Sequence, residues 1–270
     1  MIGQGLSVVM ATYRGDHAEQ LLAAGESVFN QTRVPDELVL VLDGPVELSH
    51  ELVVEQISKL GTVRVLRLEK SLGPGGARHH GIVAAAHEVV AVMDADDLSV
   101  PTRFEKQLVL IYGGADVVGG WIREFDQFPG DMKAIRKVPE MHDDVWRYAK
   151  RRSPMNNVTA MFRKAKYLEA GGYTEMRTFE DYDLYVRMLL HGARFQNLPE
   201  ILVEVRGGRE MFKRRGGWSQ IPIEAAMLYR MYRWGFLSLS EFLSNFTVRA
   251  SVRVLPNWVR RLAYMLILRS

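Results

Sequence analysis

Four short apolar runs, at residues 6–11, 37–42, 63–68 and 89–93, constrain the fold more than any other feature. A helix-like segment stands between each run and the next. Leu21, Ala24, Val28 and Phe29 recur at helical spacing after the first run, with Asp16 placed to cap that segment, and Leu52, Val53, Ile57 and Leu60 recur after the second. Gly73-Pro-Gly-Gly76 opens a third helix that runs to Ala86. Runs of five or six residues are strand-sized, and apolar continuity without alternation, as in the fourth run, marks a buried strand; the third, Val-Arg-Val-Leu-Arg-Leu, carries Arg64 and Arg67. Strand–helix alternation with short connections predicts right-handed crossovers and a parallel sheet covered by helices. The expected class is therefore α/β, Rossmann-like, with a mostly parallel central sheet.

In such sheets ligands bind beyond the carboxyl ends of the strands. Polar groups fall there: Thr12-Tyr13 after the first strand, Asp43 after the second, and Asp94-Ala-Asp96-Asp97 after the fourth. Carboxylates closing a buried strand call for a counter-charge. Hard divalent cations prefer carboxylate oxygens, and Mg²⁺ or Mn²⁺ commonly takes one or two of them plus substrate phosphates. Asp94 and Asp96 are thus candidates for a nucleotide–metal site, while Asp97 is expected to cap the next helix. Asp43 suits a turn or a hydrogen bond from a nucleobase. Gly73-Pro-Gly-Gly-Ala-Arg78 allows close backbone approach to a phosphate, with Arg78 facing phosphates or sugar, but it is not a P-loop or a dinucleotide fingerprint. His79 and His80 are adjacent and make a poor metal pair.

The second half has a different pattern. Strands are expected at 117–122, 158–162 and 201–205, and helices at 101–112, 143–150, 164–170 and 178–191. Glu180-Asp181 opens the last of these. Thr178-x-x-Asp181 fits a capping box, and first-turn carboxylates suit the helix dipole. The same position suits a rigidly held general base, so Asp181 and Glu180 are candidate catalytic residues. Asp183 and Arg187, four apart, are expected to pair on the surface.

Charge separates the C-terminus from the rest. Residues 206–270 carry 12 Lys/Arg against 3 Asp/Glu, a balance of +9, and the other 205 residues balance at −6. A basic tail on an acidic body points to an anionic partner. Lys213, Arg214 and Arg215 lie in a loop flanked by glycine pairs, placed to close over a diphosphate. Segments 221–234, 241–254 and 258–269 mix Arg with Trp, Tyr and Leu, which suits interfacial helices or helices packed on the body. The chain has no cysteine, which fits a reducing compartment. It shows no signal-peptide pattern and no apolar run of about 20 residues. The expected location is cytoplasmic, peripheral on the inner face of the cytoplasmic membrane. The expected division is a catalytic domain at 1–205 and a basic helical region at 206–270. A nucleic-acid binder would leave both acidic pairs unexplained, and no nucleic acid is expected as a partner. A sugar-nucleotide sensor would not need them intact.

Residues 6–206 resemble glycosyltransferase family 2, the inverting enzymes of GT-A fold. The likeness rests on Thr12-Tyr13, Ser27-Val-Phe-Asn-Gln-Thr32, Asp43-Gly44, the Gly-Ala-Arg78 helix start, Asp94-Ala-Asp96-Asp97, Gly171-Gly-Tyr173, and Glu180-Asp181 with Leu184 and Arg187. Two positions depart from the family pattern: Leu42 replaces an acidic residue, and His79 replaces an asparagine. The tail, with FKRRGGWSQ and LPNWVRRLAYMLILRS, resembles a subgroup that builds bacterial exopolysaccharide and O-antigen units, amylovoran-type transferases among them. The resemblance implies a nucleotide-sugar donor, UDP foremost with dTDP as the alternative, and a polyprenyl-diphosphate-linked glycan acceptor at an anionic membrane surface. It further implies nucleoside contacts from Thr12 and Asp43, sugar or ribose contacts from Asp94, Mn²⁺ or Mg²⁺ on Asp96, and Asp181 as general base.

Overall fold

The computed structural model describes residues 5–174, 176, 178–207 and 220–254. Its first half follows the alternating pattern: β1 (Leu6–Thr12), α1 (Ala18–Phe29), β2 (Glu37–Leu42), α2 (Leu48–Ile57), β3 (Val63–Arg67), α3 (Gly73–Ala84) and β4 (Val89–Asp94). These four strands are parallel, in the order β3-β2-β1-β4. Alternate residues go to opposite faces, as a pleated strand requires. Leu6, Val8 and Met10 of β1 join one apolar cluster with Leu21, Val28 and Ile57, while Val9 joins another on the far face with Ala77 and Ile82.

Beyond β4 come β5 (Leu98–Ser99), α4 (Arg103–Tyr112), β6 (Val117–Phe125), β7 (Ile135–Arg136), α5 (His142–Ala149), β8 (Met161–Arg163), α6 (Lys164–Glu169), α7 (Glu180–Leu190) and β9 (Phe195–Arg206). The sheet continues β4-β8-β6-β9-β5, with β7 at the side of β6. Here the pairing is mixed. β8 runs antiparallel to β4 and β6, β5 runs antiparallel to β9, and β6 and β9 are parallel. The last strand is longer than expected. Its first half contains Pro199 and reads as loop in the sequence, and the β6–β9 register shifts beside it, at Gly120–Ile122. Such a bulge accommodates a proline that has no ladder donor.

The C-terminal helices are α8 (Gln220–Arg233) and α9 (Leu239–Val254). Met227, Leu228 and Met231 of α8, with Phe236 and Leu237 after it, are buried in the same cluster as Tyr182 and Tyr185 of α7. Each such side chain removed from water contributes about 1.5–3 kcal/mol, enough to dock α8 on the body. No helix among the described residues is long and apolar enough to cross a membrane.

Candidate active site

The acidic cluster lies at the carboxyl end of β4, where Asp94 pairs with Ala11 of β1. Asp96 and Asp97 follow at once, Asp97 fully buried. Burial, then the charges of Asp94 and Asp16, raise the Asp96 carboxyl to about 6. Asp16 is a fourth member that the sequence does not advertise. It is not the cap of α1, whose N-cap is His17. Its Oδ2 accepts the Thr12 hydroxyl at 2.9 Å and the Tyr13 amide at 3.1 Å, folding the β1 turn back toward the cluster. Burial foremost raises its pKa as well.

Arginines offset part of this charge. Arg78 of α3 donates to Asp94 Oδ1 at 2.5 Å. The Arg206 amide donates to Asp97 Oδ1 at 2.8 Å, and the Arg206 side chain stacks over Phe125 and reaches the Asp96 carbonyl at 3.3 Å. This corrects the expected role of Asp97. It does not cap the next helix, whose N-cap is Thr102; it fastens the end of β9 to the end of β4. Arg103 lies wholly buried behind the cluster, donating to the Val92 carbonyl at 2.8 Å and to Gln107 at 3.0 Å. Burial pulls its pKa down to about 9, against the attraction of Asp94 and Asp97. Its one visible trace in the sequence is its place on the apolar stripe of α4, beside Phe104, Leu108 and Ile111. The three carboxylates closing β4 are therefore not left for a bound cation alone to balance.

The second acidic pair arrives from α7. Glu180 and Asp181 occupy its first turn, but the expected Thr178 capping box does not form: the N-cap is Phe179, with no side-chain cap. Phe179 has φ 64°, the one positive φ outside glycine among the described residues, and a bulky residue there is strained. Arg78 Nη1 stands 3.8 Å from Glu180 Oε1, so one guanidinium joins the end of β4 to the start of α7. Although burial opposes its charge, Asp94, Tyr173 and Glu180 together raise the Arg78 pKa. Burial first, then Asp181, raise Glu180 to about 7, with Arg78 pulling the other way. Gly75 permits this approach, since a Cβ there would lie 3.2 Å from Glu180 Cγ. Asp181 Oδ1 accepts the Tyr182 amide at 2.8 Å. Beneath lie Tyr173 and Tyr185, whose hydroxyls donate to Asn157 Oδ1 at 3.0 and 2.7 Å.

Asp43 closes β2, but its carboxylate is turned on the protein. It accepts the Leu72 amide at 2.7 Å, the Gly73 amide at 3.0 Å and the Ser71 hydroxyl at 2.7 Å. It acts as the N-terminal anion of α3 from a neighbouring strand. The Leu72 and Gly73 amides are thus engaged rather than open to a phosphate. Tyr13 stands exposed beside this end of the sheet. His79 and His80 diverge as expected, toward the Tyr167 hydroxyl and the Gly76 carbonyl.

Lys213, Arg214 and Arg215 lie outside the described residues. Of the described C-terminal arginines, Arg230 pairs with Asp183 and Arg249 with Glu224, both inward onto buried carboxylates. Asp183 also pairs with Arg187, in the interior rather than on the surface as expected, because α8 covers that side of α7.

Among the described residues no three acidic, histidine or cysteine side chains converge closely enough to hold a metal. Asp94 and Asp96 offer a two-carboxylate oxygen set, with the Asp96 pKa raised by burial first and then by Asp94 and Asp16. That fits Mg²⁺ or Mn²⁺, which accepts few protein ligands and completes its shell with phosphate and water.

A profile of the family described as glycosyl transferase family 2 matches residues 7–172. The chain is 33% identical over 265 residues to UDP-Gal:alpha-D-GlcNAc-diphosphoundecaprenol beta-1,3-galactosyltransferase of Escherichia coli, spanning 97% of this chain and 96% of the relative. It is 34% identical over 264 residues to the amylovoran biosynthesis glycosyltransferase AmsE of Erwinia amylovora, spanning 96% and 97%. The solved structure of S. aureus TarS 1-349 in complex with UDP-GlcNAc matches with a TM-score of 0.68 at 18% identity, over 98% of this chain and 74% of that one. At that identity the likeness establishes the fold, GT-A. With strand-end acids, an acidic helix start and relatives of full length, the chain belongs to glycosyl transferase family 2 and is a glycosyltransferase.

Proposed function

We propose that this enzyme transfers a hexose, with inversion, from a UDP-sugar to a hydroxyl of a lipid-linked glycan acceptor in bacterial surface polysaccharide synthesis. The observation that carries the proposal is the Arg78 bridge, 2.5 Å from Asp94 and 3.8 Å from Glu180. It brings a donor-side carboxylate and a carboxylate-bearing helix start to one place. The donor and acceptor classes are supported by the E. coli relative, named for transfer from UDP-Gal to GlcNAc-diphosphoundecaprenol.

Thr12, Tyr13 and Asp43 serve the nucleoside end, Thr12 and Tyr13 through the turn that Asp16 holds and Asp43 through the loop before α3. Asp94, oriented by Arg78, accepts hydroxyl hydrogens of ribose or sugar. Asp181 takes the proton of the acceptor hydroxyl, whose oxygen attacks the anomeric carbon opposite the departing diphosphate. Glu180 is turned to Arg78 and tunes the pair through its charge. Lys213, Arg214 and Arg215 are assigned to the diphosphate. A divalent ion, which enzymes of this family typically use, would be held by Asp96 and Asp94 and, when bound, supplies Lewis-acid stabilisation of the leaving diphosphate. The enzyme works at the inner face of the cytoplasmic membrane, a location supported by the relative's lipid acceptor and by exposed Tyr229, Leu239 and Leu243 on α8 and α9.

The test is transfer from UDP-hexoses to a synthetic α-GlcNAc-diphospho-alkyl acceptor, with the product anomer read by NMR. Asp181→Asn should lower kcat by roughly 10²–10⁴-fold, the usual worth of a general base, while UDP affinity by calorimetry stays near wild type. A product of retained configuration, or undiminished turnover in D181N, would remove the assignment.

A further inference from the structure

We propose that Arg230 is a positioning residue: its ion pair with buried Asp183 locks α8 to α7 and so holds Glu180 and Asp181 in place for transfer. This rests on the assignment of the general base to the first turn of α7.

That turn is weakly held by its own sequence. It has no side-chain cap, and the residue before it, Phe179, sits at φ 64°. A helix start so placed must be fixed from elsewhere. Asp183 lies three residues after Glu180, hence on the same face one turn below. Its amide donates to the Phe179 carbonyl at 2.9 Å, and its side chain is 0% exposed. Among the described residues two guanidinium groups reach it. Arg187 Nε donates to Oδ2 at 2.8 Å. Arg230 Nη2 stands 3.1 Å from Oδ1, an oxygen that among the described residues finds no donor in hydrogen-bond geometry and is compensated by charge.

The two arginines differ in what they tie down. Arg187 also donates to the carbonyls of Ala170 and Gly172, in the turn that leads to Tyr173, so it binds α7 to what precedes it. Arg230 comes from α8. It is itself fixed by the Trp234 ring at 5.1 Å and the Met176 sulfur at 3.3 Å, and α8 is sunk into the core through Met227 and Met231. Helix α8 thereby acts as a buttress for the carboxylate helix. Without Arg230 the Asp183 carboxylate keeps its bond to Arg187 but loses its tie to α8, and the turn above it is no longer fixed against the body from that side.

The closing experiment uses the full-length chain with UDP-galactose and an α-GlcNAc-diphospho-alkyl acceptor. Arg230→Met should lower kcat by about 10–100-fold, the scale of a displacement near 1 Å. Donor KM and UDP affinity should stay within about twofold, as for an interaction felt only in turnover. Arg230→Lys should restore most of the rate, and Arg230→Gln carries the same comparison if the methionine variant does not fold. Wild-type kcat in a folded R230M or R230Q overturns the proposal. So do kcat and UDP affinity falling together, which marks a merely structural residue, and a lysine variant no better than the neutral ones. Turnover surviving in D181N would instead remove the base assignment beneath it, a separate result.

Discussion

The two halves of the site are built by different means. On the β1–β4 side, functional groups stand where parallel strands end, and their neighbours are set by register: Ala11 beside Asp94, Thr12 beside Leu42. On the α7 side, a helix start is placed by contacts from distant parts of the chain. Glu180 is met by Arg78, and Asp183 by Arg230. A strand end is rigid because ladder bonds on both sides leave it one position. An uncapped helix start has no comparable restraint and depends on charges brought to it. The first half should therefore fail locally when altered, and the second at a distance.

Arg78 belongs to both halves, so its loss should have the largest effect. The side chain is only 11% exposed and faces two carboxylates. Arg78→Met leaves Asp94 and Glu180 without their shared cation, a cost of about 3–5 kcal/mol for a broken buried pair. Urea unfolding should show the loss, and the folded fraction should bind UDP more weakly and turn over more slowly. If only one of the two kinetic constants changes, the guanidinium serves one half and the bridge is incidental.

A smaller effect separates the halves by pH. The Glu180 carboxyl titrates at about 7 in the fold, against an ordinary 4.5, because burial and then Asp181 disfavour its charge. A raised carboxyl means that the folded state holds the proton longer. Its contribution to stability is thus intact below about pH 4.5, declines as pH rises through the window from 4.5 to 7, and is gone above it. Over the full window this amounts to about 3 kcal/mol. Glu180→Gln should flatten that part of the stability–pH curve and raise the melting temperature at pH 8 relative to wild type. Asp96, raised to about 6 by burial first, keeps its own slope at lower pH in E180Q, so the window between about 6 and 7 decides: a slope that persists there would remove Glu180 as the titrating group.

The same division decides what could be read from the sequence. The succession of β1 to β4, the groups at their ends and the acidic start of α7 are all legible, because buried strands show as short apolar runs and helices as a periodic stripe. For Asp16, Asp97 and Asp183 the local sequence suggests caps or a surface pair, and the structure shows neither. Nothing in residues 16–17, 97–101 or 183–187 shows that Asp16 turns back to Thr12, that Asp97 receives Arg206, or that α8 covers Asp183. A carboxylate beside a helix has the same local pattern whether it caps, pairs or is buried, and only the tertiary partner decides. The first part of β9 was missed for a related reason. Its strand character comes from pairing with β6 around Pro199, and residues 195–200 show no alternation of their own.

Asp43 offers the smallest perturbation, confined to the strand-end half. Its carboxylate receives two amides and a hydroxyl from residues 71–73. Unmaking such bonds costs about 1–3 kcal/mol where the donors are then buried without partners. Leu72 is exposed and Gly73 only half-buried, so water can take the place of the carboxylate, and Asp43→Ala should fall at the lower end of that range. The kinetic consequence should be one-sided. The loop before α3 would loosen at the nucleoside end, raising donor KM, while the start of α7, held by Asp183 and its two arginines, keeps its geometry and kcat at saturating donor stays near wild type. Initial-rate measurements across donor concentration distinguish the outcomes. A fall in kcat matching the rise in KM would mean that α3 transmits the loosening through Arg78 to Glu180. In that event the two halves are not independent, and the site is better described as one charge network than as a rigid edge facing a buttressed helix.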